Sequence, residues 1–160
     1  DNSMVHAYIH GEGSVGVLIQ IKAEKPETLE NEEVQEMANN LAMQIAAMSP
    51  RWLTRDDVPE DVAEQEKDLL RTQTLNEGKP EKIVDKIVKG RMGKFYSENT
   101  LLEQDYVRDD KKSVQDYINE VGKQVDDNLE VVRYTRFGLG EGIEKKEEDF
   151  AEEVMSQIKK

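Results

Sequence analysis

Val5-His-Ala-Tyr-Ile-His-Gly-Glu-Gly-Ser-Val-Gly-Val-Leu-Ile-Gln-Ile-Lys22 joins two runs of strand-forming residues through a glycine-rich turn. Val5, Ala7 and Ile9 alternate with His6, Tyr8 and His10. After the turn, Val15, Val17, Ile19 and Ile21 alternate with Gly16, Leu18, Gln20 and Lys22. A period of two is the signature of a pleated strand, so the stretch predicts a β-hairpin with one apolar face. An isolated hairpin is marginal in water, which requires a third strand and a covering helix from elsewhere in the chain. The other convincing strand is Leu129-Glu-Val-Val-Arg-Tyr-Thr-Arg-Phe137, more than a hundred residues away. Within the turn, Gly11-Glu-Gly-Ser-Val-Gly16 matches the dinucleotide pattern G-x-G-x-x-G. That pattern works by opening a helix whose N-terminal amides hold a pyrophosphate, and here it runs into strand residues instead. Its glycines are better read as a turn with positive φ at Gly11 and Gly13, and as a close backbone approach or bulge at Gly16.

Downstream, Val34, Met37, Ala38, Leu41, Ala42, Ile45 and Ala46 fall at helical spacing from about Asn31 to Met48 and supply the covering stripe. Ser49-Pro50 ends that helix. Arg51-Trp-Leu-Thr is expected to be short and extended, with Trp52, the only tryptophan, packing in the core or at its edge. A helix from about Pro59 to Asn76 is apolar only at Val62, Ala63, Leu69, Leu70 and Leu75. Gly78-Lys-Pro80 then reverses the chain into a second helix, about Pro80 to Phe95, with Ile83, Val84, Ile87, Val88, Met92 and Phe95. The pair predicts an antiparallel coiled-coil hairpin leaving the body, the alternative being two helices lying flat on the sheet. Ser97 to Lys112 lacks periodicity and is expected to be a loop anchored by Leu101, Leu102 and Tyr106. Ser113 caps a short helix to about Val121. After the third strand, Glu148 to Lys159 is expected to be helical, with Phe150, Ala151, Val154, Met155 and Ile158 on one face.

The fold class is therefore α+β: a three-stranded antiparallel sheet packed with helices, an inserted helical hairpin and a C-terminal helix. The expected division is 1–57 for the first part of the sheet core, 58–96 for the hairpin, 97–142 for the rest of the core and 143–160 for a C-terminal module. At 160 residues the chain fits one domain with an appended module. It carries 35 acidic and 22 basic side chains, a net charge of −13, spread along its length. Such a surface repels phosphate backbones, which argues against nucleic acid and anionic membranes as partners and favours proteins. Cysteine is absent, which excludes disulfides and thiolate chemistry. No apolar run reaches the length of a membrane span, so a soluble cytoplasmic-type protein is expected. Beginning with Asp1 in place of methionine, the chain is expected to be a fragment or a trimmed protein.

Covalent catalysis finds no support. His6 and His10 share a strand face but have no third ligand at metal-binding spacing, and no G-x-S-x-G marks a nucleophile. Asp56, Asp57, Asp109, Asp110, Asp126 and Asp127 read as loop and cap residues, not as acid–base pairs. No catalytic residue, cofactor or metal is expected.

Five stretches, in order, resemble the translation elongation factor Ts family: Tyr8-Ile-His-Gly11 through Val15-Gly-Val-Leu18, Gly78-Lys-Pro80, Lys89-Gly-Arg-Met-Gly-Lys-Phe95, Leu101-Leu-Glu-Gln104, and Arg133-Tyr-Thr-Arg-Phe-Gly-Leu-Gly-Glu-Gly-Ile-Glu144. The resemblance implies the second half of that factor: the C-terminal core subdomain, its hairpin and the C-terminal module. It implies a guanine-nucleotide exchange factor that binds elongation factor Tu without bond chemistry. The contact positions it implies are His10, in the family's Tyr-x-His-Gly, and Tyr106 with Val107 after the hairpin, where Tyr106 replaces a commoner phenylalanine and Asp105 a commoner proline. The family's Thr-Asp-Phe-Val wedge has no counterpart in these residues, and Glu148-Asp-Phe150 is only an echo of it. The competing expectation is an adaptor that recruits a different protein through an acidic hairpin.

Overall fold

The computed structural model describes residues 2–138. They form two compact units, one taking residues 2–48 and 127–138, the other Ser49–Asp126. The expected helix at Glu148 to Lys159 lies outside the described residues.

In the first unit, β1 (Ser3–His10) and β2 (Val15–Ala23) form the predicted hairpin, and β5 (Leu129–Gly138) pairs with the far edge of β2. The order β1-β2-β5 is antiparallel throughout. Alternation in β2 settles which face is covered: Val17, Ile19, Ile21 and Ala23 are buried, whereas Leu18 and Lys22 are exposed. Helix α1 (Glu32–Met48) covers that face with Val34, Met37, Ala38, Leu41, Ala42, Ile45 and Ala46, all buried. Each large side chain of this layer contributes roughly 1.5–3 kcal/mol by leaving water. Val5, Ile9 and Leu18 stand on the opposite face and are exposed.

Polar side chains tie the layers together. α1 has no basic residue in its last turn, and Arg136 of β5 fills the role, donating from Nε and Nη2 to the Ala46 carbonyl at 3.3 and 3.2 Å. Asp127 accepts from the backbone amides of Glu24 and Lys25 at 3.1 and 3.0 Å, joining the end of β2 to the start of β5. The bulge is not at Gly16 but between Gln20 and Ile21, where β5 has one extra residue. Gly16 is needed for another reason. A Cβ there would come within 2.6 Å of the Phe137 ring on the neighbouring strand, so a side chain, not backbone, makes the close approach.

The second unit contains α2 (Glu60–Asn76), α3 (Glu81–Asn99), β3 (Asp105–Tyr106), β4 (Asp109–Ser113) and α4 (Val114–Val125). α2 and α3 are two helices joined by the expected reversal, with Gly78 at φ 83. Pro59 and Pro80 sit at the N-caps of the two helices, one position before the first turn. The seam is Val84, Val88 and Met92, packed by Ala63, Leu70, Phe95 and Tyr96. At its base, the Arg51 and Trp52 amides both donate to the Asn99 carbonyl, at 2.9 and 3.1 Å. Half-buried Trp52 meets Phe95 with ring centroids 6.2 Å apart, the edge packing expected of it. Arg55 lies over Tyr96 and forms a two-pronged bond to Glu103 at 2.9 and 2.6 Å. That guanidinium holds the Glu103 carboxyl below its usual range.

Two expectations change here. The stretch from Ser97 to Lys112 is not a loop: α3 runs on to Asn99, a single 3-10 turn follows at Leu101–Glu103, and β3 and β4 pair as a small antiparallel ribbon. Ser113 does cap α4, with Asp116 closing the reciprocal box, but the helix continues to Val125 and ends at Asp126 in the left-handed conformation.

Candidate functional site

His10 is the last residue of β1, opposite Val15. The turn beyond it is built from positive φ at Gly11, Glu12 and Gly13, and is closed by the Ser14 amide donating to the Gly11 carbonyl at 3.0 Å. Ser14 Oγ also donates to the His10 carbonyl at 3.2 Å, which fixes the backbone that carries the imidazole. The ring itself is exposed, and its Nδ1 lies 2.9 Å from the Tyr8 hydroxyl. His6, on the same strand face, makes a contact inside the fold, where its Nε2 meets Asn39 Oδ1 of α1 at 3.3 Å. The two histidines are thus separately engaged. Among the described residues no group of three or more His, Cys, Asp or Glu side chains is placed to hold a metal ion. The glycine turn passes directly into β2, so no helix N-terminus stands behind it to receive a pyrophosphate.

Tyr106 and Val107 belong to the second unit. Tyr106 is 4% exposed, with its ring stacked on Tyr117 of α4 at a centroid distance of 4.2 Å and an angle of 10°. It pairs across the ribbon with Asp109, which leaves Val107 and Arg108 to make the turn. Val107 is 44% exposed. The ribbon is held by charge: Lys112 Nζ lies 3.4 Å from Asp109 Oδ2 and 2.8 Å from Glu120 Oε2. The amide of Lys111, then Lys112, keep the Asp109 carboxyl below its ordinary range. Buried Gln104 precedes the ribbon, donating from Nε2 to the Glu98 carbonyl at 3.0 Å, and its own carbonyl receives the Val114 amide at 2.9 Å.

Of the three expected contact residues, His10 and Val107 offer side chains to solvent and Tyr106 does not. Tyr106 and Val107 are neighbours on one ribbon, and His10 stands on the other unit. Sequence reasoning missed Tyr8 as the partner of His10. The signal was there to be read, since residues two apart on a strand share a face. The charge expected of the hairpin needs correction: residues 58–96 carry eight acidic and eight basic side chains, so it is not acidic. Acids crowd α2, whereas Lys82, Lys86, Lys89, Arg91 and Lys94 lie on α3.

The elongation factor TS family profile matches residues 1–141. An elongation factor Ts of Acetivibrio thermocellus is 50% identical over 155 residues, covering 97% of this chain and 72% of that relative. One from Desulforamulus reducens is 48% identical over 98% of this chain and 72% of its own length. One from Clostridium tetani is 47% identical over 99% of this chain, but only 51% of the relative is spanned. No described helix is long and apolar enough to cross a membrane. The chain belongs to the elongation factor Ts family.

Proposed function

We propose that the chain binds elongation factor Tu and takes part in guanine-nucleotide exchange on it, with no covalent step. Family membership over 141 residues carries this reading, and the exposed His10 at the end of β1 supports it at the level of a contact. His10 and Val107 are the side chains that touch the partner. Tyr106 acts from beneath, fixing the turn that presents Val107. The working site is cytoplasmic, where the partner is found during translation.

Exchange of this kind is a linkage between two ligands on one protein. A factor that binds the nucleotide-free partner more tightly than the GDP-bound partner must weaken GDP binding by the same ratio. Contacts that are equal in both states anchor the factor without releasing nucleotide. The 160 residues contain no Thr-Asp-Phe-Val, so His10 and Val107 are assigned to the anchoring part. Titration calorimetry of the chain into elongation factor Tu, with and without GDP, tests the reading. Binding to both forms, with at most a modest preference for the nucleotide-free one, is expected. Failure to bind either form would overturn it. The adaptor reading loses its main support with the neutral hairpin charge.

A further inference from the structure

We propose that Tyr8 is a positioning residue for His10: its hydroxyl donates to His10 Nδ1 and so turns Nε2–H outward, as a donor to a carbonyl or carboxylate on elongation factor Tu. This rests on the reading of His10 as a contact. The two side chains share a face of β1, and the oxygen–nitrogen distance is 2.9 Å. Their rings are 5.9 Å apart and tilted by 35°, so the link is through the hydroxyl and not through stacking. In a neutral imidazole one nitrogen donates and the other accepts; a donor at Nδ1 therefore leaves the proton on Nε2. Nε2 has no hydrogen-bond partner among the described residues. Both ends of the lever are anchored. Tyr8 is half-buried opposite Val17, itself buried, and the His10 carbonyl is held by Ser14 Oγ. His6, four residues earlier on the same face, shows the opposite arrangement, with its Nε2 committed to Asn39 inside the fold. Two histidines of one strand are thus sorted by their neighbours, one to packing and one to solvent.

Tyr8→Phe removes the hydroxyl and keeps the ring. In nitrogen-detected NMR of the full chain under alkaline conditions, the expected wild-type His10 carries its proton on Nε2. The Nδ1 resonance should move in Tyr8→Phe while both His6 nitrogens stay in place. Affinity for elongation factor Tu should fall about three- to tenfold, the range for losing one ordered hydrogen bond, and Tyr8→Phe should cost nothing further in a His10→Ala background. A wild-type proton on Nδ1, an unmoved Nδ1 resonance, or equal losses from Tyr8→Phe with and without His10 would overturn the role of Tyr8 while leaving His10 a contact. An unchanged affinity in His10→Ala would instead overturn the contact reading, and the proposal with it.

Discussion

Asp127 shows how much one carboxylate can organise at a chain junction. Thr28 is the strongest influence on it, followed by the amides of Lys25, Glu24 and Asn128, and together they hold its carboxyl below the ordinary value. A carboxyl depressed in the folded state contributes stability that is complete above its unfolded value, about 3.9, and is lost as pH falls through the lower folded value. Asp127→Asn should therefore lower the melting temperature at neutral pH and flatten the acid limb of the stability profile below about pH 4. An unchanged acid limb would show that Asp127 does not couple folding to protons. Tyr106 and Val107 make a second contrast, because one is buried and the other exposed on the same ribbon. Tyr106→Ala should cost about 3 kcal/mol or more of stability. Val107→Ser should stay within about 0.5 kcal/mol of wild type and weaken partner binding about fivefold. Denaturant melts beside calorimetric titrations separate the two, and a stable Tyr106→Ala would contradict the account of the stack. The sequence marked Tyr106 as an anchor of its stretch, yet the family resemblance grouped both residues as contacts. What distinguishes them is Tyr117, which stands eleven positions on and reaches Tyr106 only once α4 is in place.

Elements were legible where local pattern and burial agree. The strict alternation of Val17, Ile19 and Ile21, and the helical spacing of Val34 through Ala46, defined the sheet and its cover. The β3–β4 ribbon was hidden because Asp109-Asp-Lys-Lys-Ser113 has almost no intrinsic strand preference. Ion pairs through Lys112 and the tyrosine stack supply what composition lacks. α3 outran its expected end at Phe95 for a related reason. The carbonyls that its last turn leaves open find donors beyond the helix: Thr100 N–H reaches Tyr96 at 2.9 Å, Gln104 Nε2 reaches Glu98 at 3.0 Å, and the Arg51 and Trp52 amides reach Asn99 at 2.9 and 3.1 Å. The hairpin seam of Val84, Val88 and Met92 draws its packing from α2 and α3 themselves. Replacing residues 62–92 with a short glycine-rich linker, which spares Phe95 and Asn99, should then leave the β1-β2-β5 sheet folded. Circular dichroism and a cooperative melt would report that outcome; a broad, non-cooperative transition would show that the sheet depends on the hairpin.

Across the full chain, the family was readable from five short stretches, whereas the exposure of the proposed contact residues was not. Motifs such as Tyr8-Ile-His-Gly11 name positions, but only packing tells an exposed side chain from a buried one. These 160 residues are expected to anchor elongation factor Tu through contacts that differ little between its nucleotide states. The rate gain available to an exchange factor is bounded by that difference in contact energy. Stopped-flow release of a fluorescent GDP analogue from elongation factor Tu, at saturating concentrations of this chain and of a full-length elongation factor Ts, reads that difference. Association with far slower release than the full-length factor produces is expected, and release matching that factor would refute the anchoring role.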